Sequence, residues 1–176
     1  MNRRAALVMA GAFVAHPVAA ASASTIVAVA CNDPELSEDA EDFLAGALSD
    51  RHVTTFDPSA IDVTYHEQAR LQVSRFLNSA SVDYSALSWV TVRYHAQRLM
   101  AVNVRFTANA LPYGAFTVYN VRARCSYRCF NVLSKTIVAA GSGLGTGRAE
   151  DVTQAQEDAM HAGLLEIARV SAARLA

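Results

Sequence analysis

Lysine is almost missing from this chain: of 15 basic residues, Lys135 is the only lysine. That excludes a phosphate loop, which needs a lysine directly after its last glycine, and the arginine bias points to a GC-rich bacterial genome. Net charge is nearly missing as well, at −1, so no strong attraction to nucleic acid or to an anionic membrane surface is expected. The aromatic residues fall on core-facing positions instead of alternating with arginine, which argues against a nucleic-acid stacking platform. Long apolar runs are absent too. The longest, Ala5 to Ala15, covers about eleven residues, short of the roughly 20 that a membrane-spanning helix needs. There is no internal repeat and no low-complexity linker.

What remains is an ordinary single domain. With 176 residues, 52% of them apolar and 18% charged, the chain is large enough for a real core. Its start reads as an export signal, here bounded at 1–23. Asn2-Arg3-Arg4 is basic, the apolar run follows, His16-Pro17 breaks it, and Val18 to Ala23 offers small residues for cleavage. Loss of Arg3 and Arg4 from the 15 basic residues leaves 13 against 16 acidic ones, a mature charge of −3. Ala28-Val29-Ala30-Cys31 loosely matches a lipoprotein box, which would make Cys31 a lipidation site and give peripheral membrane attachment. Either route leads outside the cytoplasm, to the periplasm or the outer membrane.

Along residues 24–176, Thr25 to Ala30 reads as a strand buried on both faces. Asp33-Pro34-Glu35 opens a helix whose apolar face is Leu36, Ala40, Phe43, Leu44, Ala47 and Leu48. Glu38, Asp39, Glu41 and Asp42 occupy the other face, a solvated surface or a partner surface. His52 to Phe56 is a short strand. A second helix over about 60–80 turns Tyr65, Ala69, Val73, Phe76 and Leu77 inward. Alternation over Tyr84 to Tyr94, and again over Val102 to Ala108 with Asn103, Arg105 and Thr107 facing out, predicts strands. After a turn at Leu111 to Gly114, Phe116 begins another strand.

Thr136 to Ala140 leads into Gly141-Ser142-Gly143-Leu144-Gly145-Thr146-Gly147, read as a strand that ends in a glycine turn. A long helix follows, with Ala155, Ala159 and Gly163 recurring every four residues and Val152, Leu164, Ile167, Val170 and Leu175 extending the stripe. Small residues at that spacing let a helix lie close to a sheet. The predicted fold is therefore an α+β (α/β) sandwich of order β-α-β-α-β-β-β-β-α, with a mixed sheet of about five or six strands.

Cys125 and Cys129 admit two readings. A three-residue turn over 126–128 would bring them together as a disulfide. A continuous strand would set them about 13 Å apart on one face, beyond the roughly 7 Å limit for a bridge. Cys31 is then buried, lipidated or paired with one of them.

No catalytic frame emerges. The glycine run misses the third glycine of a dinucleotide fingerprint, and Ser142 lacks the nucleophile-elbow frame because residue 140 is alanine. His66-Glu67-Gln68-Ala69-Arg70 has arginine where a zinc protease helix has its second histidine. No cofactor or metal is expected. His66, His95 and Asp83 could form a site only by tertiary assembly.

The layout of Ile26 to Val29, amphipathic helix, short strand, helix, meander and the ending Thr136 to Gly143 plus alanine-spaced helix resembles a small bacterial envelope domain. It looks like the domain of the curli secretion channel family, the TolB amino-terminal domain and the penicillin-binding-protein activator lipoproteins. Where those proteins enter the third strand with a Gly-Ala-Asp-Tyr-like segment, this chain has Ser81-Val82-Asp83-Tyr84. The resemblance implies a non-catalytic module that binds another envelope protein or itself. Glu38, Glu41, Asp42 and Arg105 are the candidate contacts. A small-ligand carrier or enzyme is the alternative, and a self-associating protein that pairs through a sheet edge is a third.

Overall fold

The structure is a computed structural model and describes residues 23–78, 90 and 93–175. The export segment up to residue 22 and most of the expected strand over 84–94, with Leu87, Trp89 and Asp83, lie outside the described residues. Strand β1 (Thr25–Cys31) is followed by a 3-10 turn at Pro34–Leu36, helix α1 (Ser37–Ser49) and helix α2 (Val63–Asn78). Strands β2 (Arg98–Tyr113), β3 (Phe116–Asn131) and β4 (Thr136–Ala149) form a meander, and helix α3 (Val152–Leu175) closes the fold.

The described strands make one four-stranded mixed sheet in the order β1-β2-β3-β4, fewer than the five or six expected. His52 to Phe56 contributes an isolated parallel bridge, Thr25 to Thr55, and no strand. β1 and β2 are parallel, from Thr25 beside Arg98 to Cys31 beside Val104, as a helical crossover between them demands. β2 and β3 form an unbroken antiparallel hairpin from Arg98 beside Asn131 to Tyr113 beside Phe116. Its two-residue turn needs a left-handed backbone, which Gly114 adopts at φ 61°. At the next turn Asn131 Oδ1 accepts from the backbone N–H of Leu133 and Ser134 at 3.0 and 2.9 Å.

α1 and α3 cover one face of the sheet, over Val27, Val29, Met100, Val102, Val104, Val121, Ala123, Cys125 and Cys129. α2 covers part of the other, seating Ala69, Val73 and Phe76 on Ile26, Ala28, Leu99, Ala101 and Phe130. The inward faces predicted for α1 and α2 match this packing, with Phe43, Tyr65 and Leu77 half-buried at the margins.

The glycine run is not a turn. β4 continues through it to Ala149, fully paired with β3 from Thr136 beside Asn131 to Ala149 beside Tyr119, with one irregularity at Val138. The reason is α3. A Cβ added at Gly143, Gly145 or Gly147 would run into the backbone carbonyl of Gly163, Ala159 or Ala155 respectively. Four helical residues advance about 6 Å and two strand residues about 6.6 Å. The two small-residue rows therefore stay in step across three contacts. The arrangement aims the glycine Cα–H groups at helix carbonyls, a weak hydrogen-bond geometry. Of the stripe predicted on α3, Ala155, Ala159, Gly163, Leu164, Ile167 and Leu175 are buried, while Val152 and Val170 are only half-buried.

Candidate functional site

Among the described residues, α2 covers only part of its side of the sheet. On β2 the residues facing that side run Leu99, Ala101, then Asn103, Arg105, Thr107 and Asn109: apolar where α2 packs, polar beyond it. The register carries this across the sheet. Arg105 lies beside Arg124, which lies beside Leu144. Thr107 lies beside Arg122 and Thr146, and Asn109 beside Asn120 and Arg148. Arg105, Arg122, Arg124 and Arg148 are exposed, and none forms an ion pair with a described carboxylate. Arg105 Nε donates to Asn103 Oδ1 at 3.2 Å. Like charges placed directly opposite on a sheet destabilise it slightly, so the Arg105–Arg124 neighbours contribute nothing to folding. Two shallow depressions open on this face, one lined by Asn103, Arg105, Arg124 and Ser126, the other by Asn109, Asn120, Arg122, Thr146 and Arg148.

The two sheet edges differ. On β1 three of the outward N–H groups are capped: Thr25 by Thr54 O at 2.8 Å, Val29 by Glu41 Oε1 at 2.9 Å and Cys31 by Ser37 Oγ at 3.2 Å. On β4 no backbone hydrogen bond reaches the outer edge from any described residue.

That geometry corrects the acidic surface expected on α1. Glu38 and Asp42 are exposed, but Glu41 is fully buried at 0%. Its carboxylate accepts from Val29 N and, in a bidentate pair, from Arg70 Nε at 3.0 Å and Nη2 at 2.5 Å. It is a structural plug joining β1, α1 and α2. Partial burial, followed by the charges of Glu38, Asp57, Glu41 and Asp39, raises the Asp42 carboxyl above its usual range. Asp39 pairs with His161 Nε2 at 3.0 Å, and that imidazole stacks on Phe43 at 4.0 Å.

The cysteines settle as the continuous-strand reading has them. β3 runs straight through 126–128, Cys125 and Cys129 point to the same buried face, and all three cysteines are free in the structure, as a continuous strand spaces them too far apart for a bridge. Burial pushes the Cys125, Cys129 and Cys31 thiols up to about 12, the opposite of nucleophile activation. Cys31 ends β1; cleavage before it would remove Thr25 to Val29, all buried. His95 sits exposed in a turn at φ 52°, and the side chain of His66 and all of Asp83 lie outside the described residues. Nor do those residues contain a group of three or more His, Cys, Asp or Glu placed to hold a metal ion. No described helix is long and apolar enough to cross a membrane.

Sequence reasoning picked out Arg105 but missed Arg122, Arg124 and Arg148. The signal was present in Val121-Arg122-Ala123-Arg124-Cys125, a strict inside–outside alternation.

No protein-family model matches the chain, and no curated protein matches it. Solved structures do. The hypothetical protein CT253 from Chlamydia trachomatis is 11% identical at a TM-score of 0.57, over 87% of this chain and 98% of that one. Lipoprotein GNA1162 from Neisseria meningitidis is 14% identical at 0.48, over 86% and 94%. The LpoB C-terminal domain from Salmonella enterica is 14% identical at 0.41, over 70% and 82%. At these identities the likeness is one of fold.

Proposed function

We propose that this chain is a non-catalytic, exported envelope protein whose exposed sheet surface binds another envelope protein. The observation that carries the reading is the side of β2–β4 that the described residues leave uncovered. A sheet face ordinarily needs a second layer; here it is polar, arginine-bearing and shallow, which suits an extended contact better than an enclosed ligand. Small-ligand and catalytic sites favour deep, mostly apolar pockets with convergent polar groups, whereas the described hollows are half-open and bordered by arginine, asparagine and threonine side chains of the sheet. The export signal and the envelope-domain resemblance supply the compartment. Photo-crosslinkers at Arg105 and Thr146, expressed in the native envelope, test it: capture of one discrete envelope protein is expected. Capture of nothing would return the question to a small ligand, and capture only of the chain itself would favour self-assembly.

A further inference from the structure

The sealed edge and the open edge ask for different explanations. Edge strands invite pairing with other chains, and proteins commonly blunt them with charges, prolines, bulges or covering segments. β1 is blunted by Glu41, Ser37 and Thr54. No described residue blunts β4 in this way. It has 14 residues, no proline, one charged residue, Arg148, and side chains that are small apart from exposed Ile137, half-buried Val138 and Leu144, the last 73% exposed. Along its flank on the uncovered side lie Arg122 and Arg124 of β3.

We propose that an extended, acidic segment of the partner adds to β4 as a fifth strand, with glutamates at alternate positions meeting Arg122, Arg124 and Arg148. The proposal rests on the protein-binding reading above and names its recognition chemistry. Main-chain hydrogen bonds along the edge supply affinity, and alternate side chains supply selectivity. Arg148 lies on β4 itself and would be an immediate neighbour of the incoming strand. Arg122 is one strand further in, about 9.6 Å from it at the usual spacing. An arginine and a glutamate span that distance together across the small side chain of Thr146; aspartate falls short. On the other side of the added strand, the nearest acid of α3, Glu166, is already paired with Arg169 at 3.0 and 2.7 Å.

A second copy of the chain fits this edge poorly. Two β4 edges paired to each other would bring Arg148 and, one strand in, Arg122 and Arg124 of both copies onto one surface, where like charges oppose the pairing. The chain's own acidic cluster, Glu38, Asp39 and Asp42, is on helix α1 and cannot serve as a strand.

The test uses the purified full chain with synthetic peptides of about ten residues, near the length β4 can pair. One alternates Glu with Val, one alternates Lys with Val, and one is the Glu peptide N-methylated at every second amide. The Glu peptide is expected to bind and to slow hydrogen exchange of β4 amides between Ala140 and Arg148. The N-methylated and Lys peptides are expected not to bind. The triple variant R122E/R124E/R148E is expected to weaken binding roughly tenfold with unchanged thermal unfolding. Binding of the Glu peptide without protection of β4, or equal binding of the N-methylated form, would overturn strand addition. So would binding of phosphatidylglycerol vesicles in place of the peptide, or a concentration-dependent dimer that protects β4. If the peptides fail while Arg105 or Thr146 still crosslinks one envelope protein, strand addition falls and the module reading stands.

Discussion

Gly145 lies directly beneath the backbone carbonyl of Ala159, so close that a Cβ on the glycine would collide with it. The strand carries no side chain there because the helix backbone occupies the space. Gly163 repeats the relationship from the helix side: a Cβ on it would sit 2.7 Å from Cys125 Sγ.

Ala159→Leu is therefore expected to overpack the α3–β4 contact and to destabilise the protein by roughly 1–3 kcal/mol. Gly145→Val should cost at least as much, because the obstructing atom is main chain. Thermal unfolding of the two variants checks this; a neutral result for either would mean the helix does not lie on the strand as described.

Glu41→Ala removes the cap of Val29 N and leaves Arg70 without its carboxylate. Breaking such a pair costs about 3 kcal/mol, discounted somewhat because the Arg70 side chain keeps 26% of its exposure. The double variant Glu41→Met with Arg70→Leu should recover much of the loss in urea unfolding. If Glu41→Ala alone were silent, Glu41 would be a surface residue after all.

The thiols give a pH dependence. Their pKa is near 9 in the unfolded chain and is raised to about 12 by burial in the fold. The folded state holds those protons longer, so the contribution is fully present below pH 9 and is lost as pH rises from 9 towards 12. Urea midpoints measured over that range should fall, and replacing all three cysteines by alanine should flatten the fall. In native protein at neutral pH, Cys125 and Cys129 should resist a thiol reagent until unfolding and should show no mass change on reduction.

Export processing should leave β1 intact. Intact-mass measurement of protein from the native envelope is expected to place the mature start near Ala20 to Ala23, ahead of Thr25. A mature chain beginning with an acylated Cys31 would lack the strand that pairs with Arg98 to Val104 and would contradict this fold.

Local periodicity was enough to locate α1, α2 and α3 and the inward faces of each, and to place β1 and the alternation of β2. Those features depend on neighbours within a few residues, and the hydrophobic effect acts on them wherever the rest of the chain lies. The stripe of Ala155, Ala159 and Gly163 even announced a close approach to a sheet. It did not announce which strand. Seven residues from Gly141 to Gly147 hold four glycines, a composition whose local preference is a turn, and only contact with α3 keeps them extended. Glu41 looked like its neighbours Glu38 and Asp42 because its partner, Arg70, is 29 residues away. Arg122 and Arg124 alternate as any strand's outward residues do. That the described residues leave this side open depends on where α2 lies across the sheet, a tertiary relation that no local pattern encodes.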